Sequence, residues 1–357
     1  MPEQESCVSG SIKLGMPKIK KSAPISKYPL SSTQTGIFFL SQMNHSGLAL
    51  ELCYQLILRG IPDDAALEKA LYALEERHPV LKTRFVLDEG KAWQYIVSNQ
   101  KLNISYYNFL HLTSIERDSK LKQIIQTELE QSFQIFDSPL VHYCLIRYAA
   151  DRTIILLKVH HLITDGFSFE ILHRHFAEFY NQYHKGGTLI SSDESTYSDY
   201  VCWENELTDT KYYQESKSFW EKTVKPKCDP LELASDFPRP YPRQYTGSIF
   251  EQQLDQTSKK QLIHLGIQRS VSLATVLLTA LAIVLYKHSG QNDFYIGVVV
   301  NGRSNLPQLR NIVGVFSKIL PIRLTFDSNM KIGDLLQYVN MQLTESWIIN
   351  CILHTKL

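Results

Sequence analysis

His160-His161-Leu162-Ile163-Thr164-Asp165-Gly166 follows an apolar run, Thr153 to Val159, and precedes a stretch from Ser168 to Tyr183 with helical periodicity. The apolar run predicts a strand, with Val141 to Tyr148 as its hairpin partner across Ala150-Asp151-Arg152. Phe169, Leu172, Phe176, Phe179 and Tyr183 fall at helical spacing behind the loop. A loop held between a strand and a packed helix gives a histidine the rigid support that chemistry requires. A histidine at a strand end is more often a hydrogen-bonded structural residue than a catalyst, and His160 is read that way. His161 is read as the chemical group, because Asp165 lies four residues on and Gly166 lets the chain turn without a Cβ clash.

Working outward, Ser31 to Gln34 has the S-x-x-Q form of a capping box, so a helix starts there and carries Phe38 and Phe39 inward. Glu51 to Arg59 reads as a strand. Asp64 to Arg77 reads as a helix with Leu67, Ala70, Leu71 and Leu74 on one face. Leu81 to Leu87 and Ala92 to Val97 form a hairpin around Asp88-Glu89-Gly90. His173 and His175 face apart at i and i+2, so no metal site is expected there.

The stretch from His184 to Ser195 is polar and carries Gly186-Gly187, and Asn205 to Tyr213 is again hydrophilic, which marks a passage between two units. The second unit has a helix through Phe219 and Trp220 and an irregular Pro-rich stretch from Asp229 to Pro242. Helices near Ser258 to Gln268 and Leu273 to His288 follow, then strands at Phe294 to Val300 and Ile319 to Leu324. Alternating strand and helix runs imply an α/β architecture. The expected division is a mobile leader over 1–26 with a basic cluster at Lys18, Lys20 and Lys21, an N-terminal lobe over 27–190 and a C-terminal lobe over 191–357.

Composition narrows the function classes. The chain has 357 residues, 44% of them apolar, enough for one large core or two moderate ones. A net charge of +1 gives no general attraction to nucleic acid or to an anionic membrane. Cys7, Cys53, Cys144, Cys202, Cys228 and Cys351 form no CxxC pair, which points to a reduced, cytoplasmic protein. Residues 1–26 lack the apolar core of a signal peptide, and Val271 to Tyr286 is too short and too interrupted by Ser and Thr to span a bilayer, so it reads as a buried helix.

The HHxxxDG pattern resembles the core motif of the condensation domains of nonribosomal peptide synthetases and their acyltransferase relatives. Further landmarks follow in that family's order. Leu30 to Leu40 is similar to LSxAQxRLWFL, with Thr33 and Gly36 replacing Ala and Arg; Arg77 to Phe85 is similar to RHExLRTxF. Phe133-Gln134-Ile135 with Pro139-Leu140 resembles FDLxxxPL, and Tyr197 to Trp203 resembles YxDYAxW. Gly314-Val315-Phe316 through Leu320-Pro321-Ile322-Arg323 resembles GxFxNTLPxR, with Ser317, Lys318 and Ile319 at the V-N-T positions. The lysine is expected to bring a charge near the tunnel. Asn301-Gly302-Arg303 fits the family's arginine-bearing step after a strand.

The resemblance implies two chloramphenicol acetyltransferase-like lobes in a V-shaped pseudo-dimer, with the HHxxxDG loop at their junction. The family's HQDVPFE stretch is replaced by Glu345 to Cys351, which leaves the second lobe incomplete at its C-terminus. The implied reaction is amide formation between a carrier-bound acyl or peptidyl thioester and an acceptor amine. His161 is then the catalytic residue, while His160, Asp165, Gly166 and Arg303 build the site, Arg303 as the partner of Asp165. No cofactor or metal is implied on the chain itself; substrates arrive on the phosphopantetheine of acyl- and aminoacyl-carrier proteins or neighbouring synthetase modules, with no nucleic acid or membrane partner. Two other readings stay open: a stand-alone acyltransferase to an alcohol, and a non-catalytic remnant that keeps the fold's surfaces. An epimerization domain shares the HHxxxDG motif, but its extra acidic signature has no match here.

Overall fold

The computed structural model describes residues 18–21, 26–42, 47–188, 194–224, 227–241, 247–303, 306–327 and 329–349. In chain order these form β1 (Tyr28–Pro29), α1 (Ser32–Gln42), β2 (Glu51–Arg59), α2 (Asp64–Arg77), β3 (Thr83–Asp88), β4 (Lys91–Ile96), β5 (Ile104–Asn108), α3 (Ser114–Glu130), β6 (Val141–Ala149) and β7 (Arg152–His160). There follow α4 (Gly166–His184), α5 (Tyr197–Glu206), α6 (Lys211–Val224), α7 (Gln256–Gln268), α8 (Leu273–Ser289), β8 (Asp293–Val300), β9 (Lys318–Thr325) and α9 (Ile332–Ile349).

The central sheet has the order β2-β7-β6-β5, antiparallel except for the β5–β6 pair. Its side chains alternate between two cores, as the period of a strand requires. Tyr143, Leu145, Ile155 and Val159 join α2 and α4 in one cluster. Cys144, Ile146, Ile154 and Leu156 pack with Ile124 of α3 in another. With helices on both faces, β7 is buried along almost its whole length and ends at His160. A second sheet, β1-β4-β3, flanks this unit, and Glu89 and Gly90 take positive φ values of 48° and 74° at its hairpin turn. The β8–β9 pair forms a third sheet, whose Phe294, Ile322 and Leu324 pack with Trp220 of α6 and Leu335 and Val339 of α9.

The capping box expected at α1 is present, with Ser31 N–H donating to Gln34 Oε1 (3.0 Å) and Gln34 N–H to Ser31 Oγ (3.0 Å). Phe38 is buried, but Phe39 is 62% exposed and does not follow it inward, because adjacent residues on a helix point about 100° apart. The elements β1, β5, α3 and α5 were not anticipated; α3 buries only Ile124 and Glu128, too narrow a face to stand out as a periodic apolar stripe. The buried helix expected over Val271 to Tyr286 is α8, and only one of its faces is covered: Val276 and Ala282 are buried while Leu277, Leu281 and Val284 are exposed. Among the described residues no single helix is long and apolar enough to cross a membrane; α7 and α8 pass that test only as a pair, bent by 103°.

Most of the leader expected over 1–26 lies outside the described residues. Within 18–21, Lys18 and Lys20 are exposed, whereas Ile19 is buried in the first core and its N–H donates to Gln308 Oε1 at 3.2 Å. Packing also departs from a division at residue 190. Tyr197, Tyr200, Val201, Trp203 and Leu207 join the first core, as do Leu309, Ile312, Val313, Val315 and Phe316 from much later in the chain.

Gly314 makes that return possible, because a Cβ built on it would run into the ring of buried Tyr197. Gly166 is different: its backbone is helical, and a Cβ there would meet only Tyr54 Oη at 4.0 Å. The turn expected to need Gly166 is made without a positive φ. Gly314→Ala should therefore lose about 1–3 kcal/mol of stability through overpacking, whereas Gly166→Ala should unfold at the parent temperature or slightly above, both read from thermal melts.

Candidate active site

The β2–β7 ladder runs to the pair Glu51 and His160, and the next residue extends it when His161 N–H donates to the Leu50 carbonyl at 2.8 Å. The two histidines then have different surroundings. His160 is buried, its N–H bonds to the Leu140 carbonyl (3.0 Å), and its Nδ1 accepts the Leu162 N–H at 3.0 Å. That bond places the ring proton on Nε2. Burial, and secondarily the neighbouring His161, push the His160 pKa down to about 4. His161 is only partly buried. Its Nδ1 is inaccessible to solvent and has no hydrogen-bond partner among the described residues.

Asp165 caps α4 and is the centre of a buried polar knot. Oδ1 accepts Ser168 N–H (3.0 Å) and lies 2.8 Å from Ser168 Oγ. Oδ2 accepts from Arg303 Nη1 (2.8 Å), Phe316 N–H (2.9 Å), Ser317 N–H (3.1 Å) and Ser317 Oγ (3.2 Å). Burial raises the Asp165 carboxyl, but the Arg303 charge, its hydrogen bond and those of Phe316 and Ser168 outweigh it and hold the group below its ordinary value. Arg303 is 1% exposed. Its Nη2 donates to Ser168 Oγ (2.9 Å) and to the carbonyls of Ile312 (3.2 Å) and Gly314 (3.1 Å), and the guanidinium lies 4.2 Å from the Phe316 ring centroid. Gly302 allows this approach, since a Cβ on it would collide with the Phe316 carbonyl.

Gln34, Ser168 and Glu204 add further hydrogen bonds around the same loop. Gln34 Nε2 donates to the Leu162 carbonyl (2.9 Å), and the Gln34 and Gln94 side-chain amides exchange hydrogen bonds, Gln94 Nε2 also donating to the Pro29 carbonyl. Ser168, three residues after Asp165, fits an N-cap box and could have been found from that spacing. Glu204 accepts from Ser32 N–H (2.7 Å), Ser32 Oγ (2.8 Å) and Tyr200 Oη (2.8 Å), and lies 3.6 Å from Lys318 Nζ. Lys318 is thus buried against a carboxylate, and the charge expected near the tunnel is neutralised inside the protein. No periodic or local signal links residues 204 and 318.

The order of landmarks from Leu30 to Arg323 is now joined by a match to the condensation domain family model over residues 25–347. The chain belongs to the condensation domain family. This condensation domain is 28% identical to gramicidin S synthase 2 of Aneurinibacillus migulanus over 307 residues, 86% of this chain and 7% of that protein. It is 28% identical to surfactin synthase subunit 1 of Bacillus subtilis (strain 168) over 320 residues, 90% of this chain and 8% of the synthase. The chain therefore spans less than a tenth of these relatives. Among solved structures, the X-domain from teicoplanin biosynthesis superposes with a TM-score of 0.85 at 20% identity, covering 94% of this chain and 74% of that one. The first condensation domain of the calcium-dependent antibiotic synthetase, in complex with a substrate analogue, superposes with a TM-score of 0.74 at 17% identity, covering 91% and 76%. The fold is the α/β fold of condensation domains.

Asp165→Asn keeps the side-chain volume but leaves the Arg303 guanidinium buried without a counter-charge. A loss of about 3–5 kcal/mol is expected in denaturant unfolding, and a variant as stable as the parent would contradict the structural role. The histidine pKa sets a second expectation. Folded His160 stays neutral to about pH 4, while the unfolded chain takes up the proton near the ordinary value of 6.5. The stability linked to it is complete above pH 6.5 and falls by about 1.4 kcal/mol per pH unit down to about pH 4. Burial also holds His78 and His175 low, so they share this slope. His160→Asn, whose Oδ1 can accept the Leu162 N–H, should make the acid-side slope in melting temperature visibly shallower.

Proposed function

We propose that this domain catalyses condensation-type acyl transfer, joining a carrier-bound acyl or peptidyl thioester to an acceptor amine. The single observation that carries the reading is the contrast between the two histidines: His160 is buried and accepts the Leu162 N–H, whereas His161, its backbone tied to Leu50, keeps a partly exposed side chain. The synthases among its relatives make the carrier-bound thioester the natural donor. An α-amine, with an ordinary pKa of about 7.7–8.0, is largely protonated at neutral pH and attacks only as the free base. A neutral imidazole accepts that proton or holds the nitrogen in line. The amine nitrogen then bonds to the carbonyl carbon, the C–S bond breaks, and the phosphopantetheine thiol departs with a proton. Positioning of two already reactive partners contributes alongside proton transfer.

In this reading Asp165, Arg303 and His160 shape the loop and do not touch substrate. Residues 27–190 form a chloramphenicol acetyltransferase-like lobe that also recruits Tyr197 to Leu207. The later part of the chain forms the second lobe of a V, with the HHxxxDG loop at the junction. Partners are acyl- and aminoacyl-carrier proteins or neighbouring synthetase modules, and the setting is cytoplasmic.

The decisive experiment combines the chain with acyl-loaded and aminoacyl-loaded carrier proteins and follows the amide product by mass spectrometry. His161→Ala should lower the rate about 10² to 10⁴-fold if the imidazole is a general base. Equal product from both chains would remove His161 from the mechanism and favour a docking role.

A further inference from the structure

On the face of the central sheet away from α4, three unlike donors converge under α3. Glu128 reaches down from the last turns of that helix, and His142 and Cys144, two residues apart on β6, point up to meet it. Glu128 and Cys144 are 6% and 1% exposed, and the His142 side chain is 17% exposed. We propose that Glu128, His142 and Cys144 form a binding site for a thiophilic divalent cation, with Zn2+ as the best-matched ion. Neither the condensation chemistry nor the HHxxxDG loop uses these residues.

The separations are those of a coordination polyhedron. All three ligand atoms lie within 4.8 Å of one another. His142 Nδ1 is 3.0 Å from Glu128 Oε2, Cys144 Sγ is 3.5 Å from Glu128 Oε1, and Sγ is 3.9 Å from Nδ1. Bonds of about 2.0–2.3 Å to a tetrahedral zinc place neighbouring donors about 3.3–3.6 Å apart, so the cation fits with shifts of a few tenths of an ångström. A ligating imidazole normally orients itself through its other nitrogen, and His142 Nε2 lies 3.0 Å from Ser105 Oγ. The mixed thiol, imidazole and carboxylate set selects a borderline-soft ion over Mg2+ or Ca2+, which take oxygen donors.

Binding changes the protonation of the cluster in a defined way. Without metal, the Cys144 thiol and His142 Nδ1–H both point to the Glu128 carboxylate, and burial with the nearby carboxylate keeps the thiol protonated. On binding, the S–H bond breaks and its proton passes to buffer, while His142 moves its ring proton from Nδ1 to Nε2, where Ser105 accepts it. Bonds from the metal to sulfur, nitrogen and oxygen form, with no change in oxidation state. Lys158 Nζ, 4.0 Å from Glu128 Oε2, is the resident counter-charge and competes with the cation. It already donates to the Gln131 carbonyl and lies 4.8 Å from the Phe133 ring centroid, so it keeps both contacts when it yields Glu128. A bound ion would tie α3, which has little buried apolar surface of its own, to β6.

The test uses the full chain, stripped by chelator and kept reduced. Co2+ should produce the near-ultraviolet absorption of a thiolate–cobalt bond with a single equivalent bound. Zn2+ should displace the cobalt, raise the melting temperature and release a proton, with affinity rising as pH rises. Cys144→Ser and His142→Gln should each weaken zinc binding by at least about 100-fold. If Cys144→Ser does not fold, His142→Gln decides alone, since its ring lies at the partly exposed rim. Absence of the cobalt–thiolate band in the parent, its persistence in folded Cys144→Ser, or an unchanged zinc affinity in His142→Gln overturns the site.

Discussion

The arrangement of the molecule depends on one buried ion pair, Asp165 with Arg303. Neither charge reaches water, so each must find all its partners inside the protein, and few arrangements of the chain can supply them. Asp165 takes five donors beyond its own cap, counting Ser168 Oγ, and Arg303 takes two carbonyls as well as the carboxylate. These bonds draw the 301–317 segment onto the N-terminus of α4 and bring Phe316 and Val315 into the first core. The carboxylate satisfies exposed N–H groups at the start of the helix while it fixes a strand from the far part of the chain.

The start of β9 is held twice by the first core. Ser317 is gripped by Asp165, and the next residue, Lys318, by Glu204 of α5. Two carboxylates, one capping α4 and one on α5, thus hold consecutive residues where the chain enters β9. Glu204 in turn takes the Ser32 N–H at the N-terminus of α1, and Gln34 in the first turn of that helix holds the Leu162 carbonyl in the histidine loop. The loop is thus braced from α1, from α4 and from the start of β9 by hydrogen bonds rather than by apolar packing alone.

Local pattern made much of this legible in advance. The strand, loop and helix around residues 153–183, the helix over 64–77 and the hairpin after it are written in apolar spacing and capping residues, and the structure places them within a residue or two. The Asp165–Arg303 contact was legible only through the resemblance, since 138 residues separate the two in sequence. The pair Glu204–Lys318 and the cluster Glu128–His142–Cys144 were not legible at all, because each is assembled by tertiary approach of elements with no shared spacing. Phe39 and α8 failed for another reason. An apolar residue in a helix is free to lie on either face, and periodicity becomes ambiguous when almost every position is apolar.

The division between the two histidines has a further consequence. Among the described residues, the groups that hold the loop in place, from Gln34 to Arg303, make no hydrogen bond to His161 Nδ1. Chemistry and architecture can therefore change separately in evolution. A descendant could lose the imidazole and fold as before, keeping every brace, and its sequence would still carry the acid and the arginine at the same positions. Under the proposed function, the ion pair of this domain belongs to its scaffold and the second histidine of the motif to its chemistry.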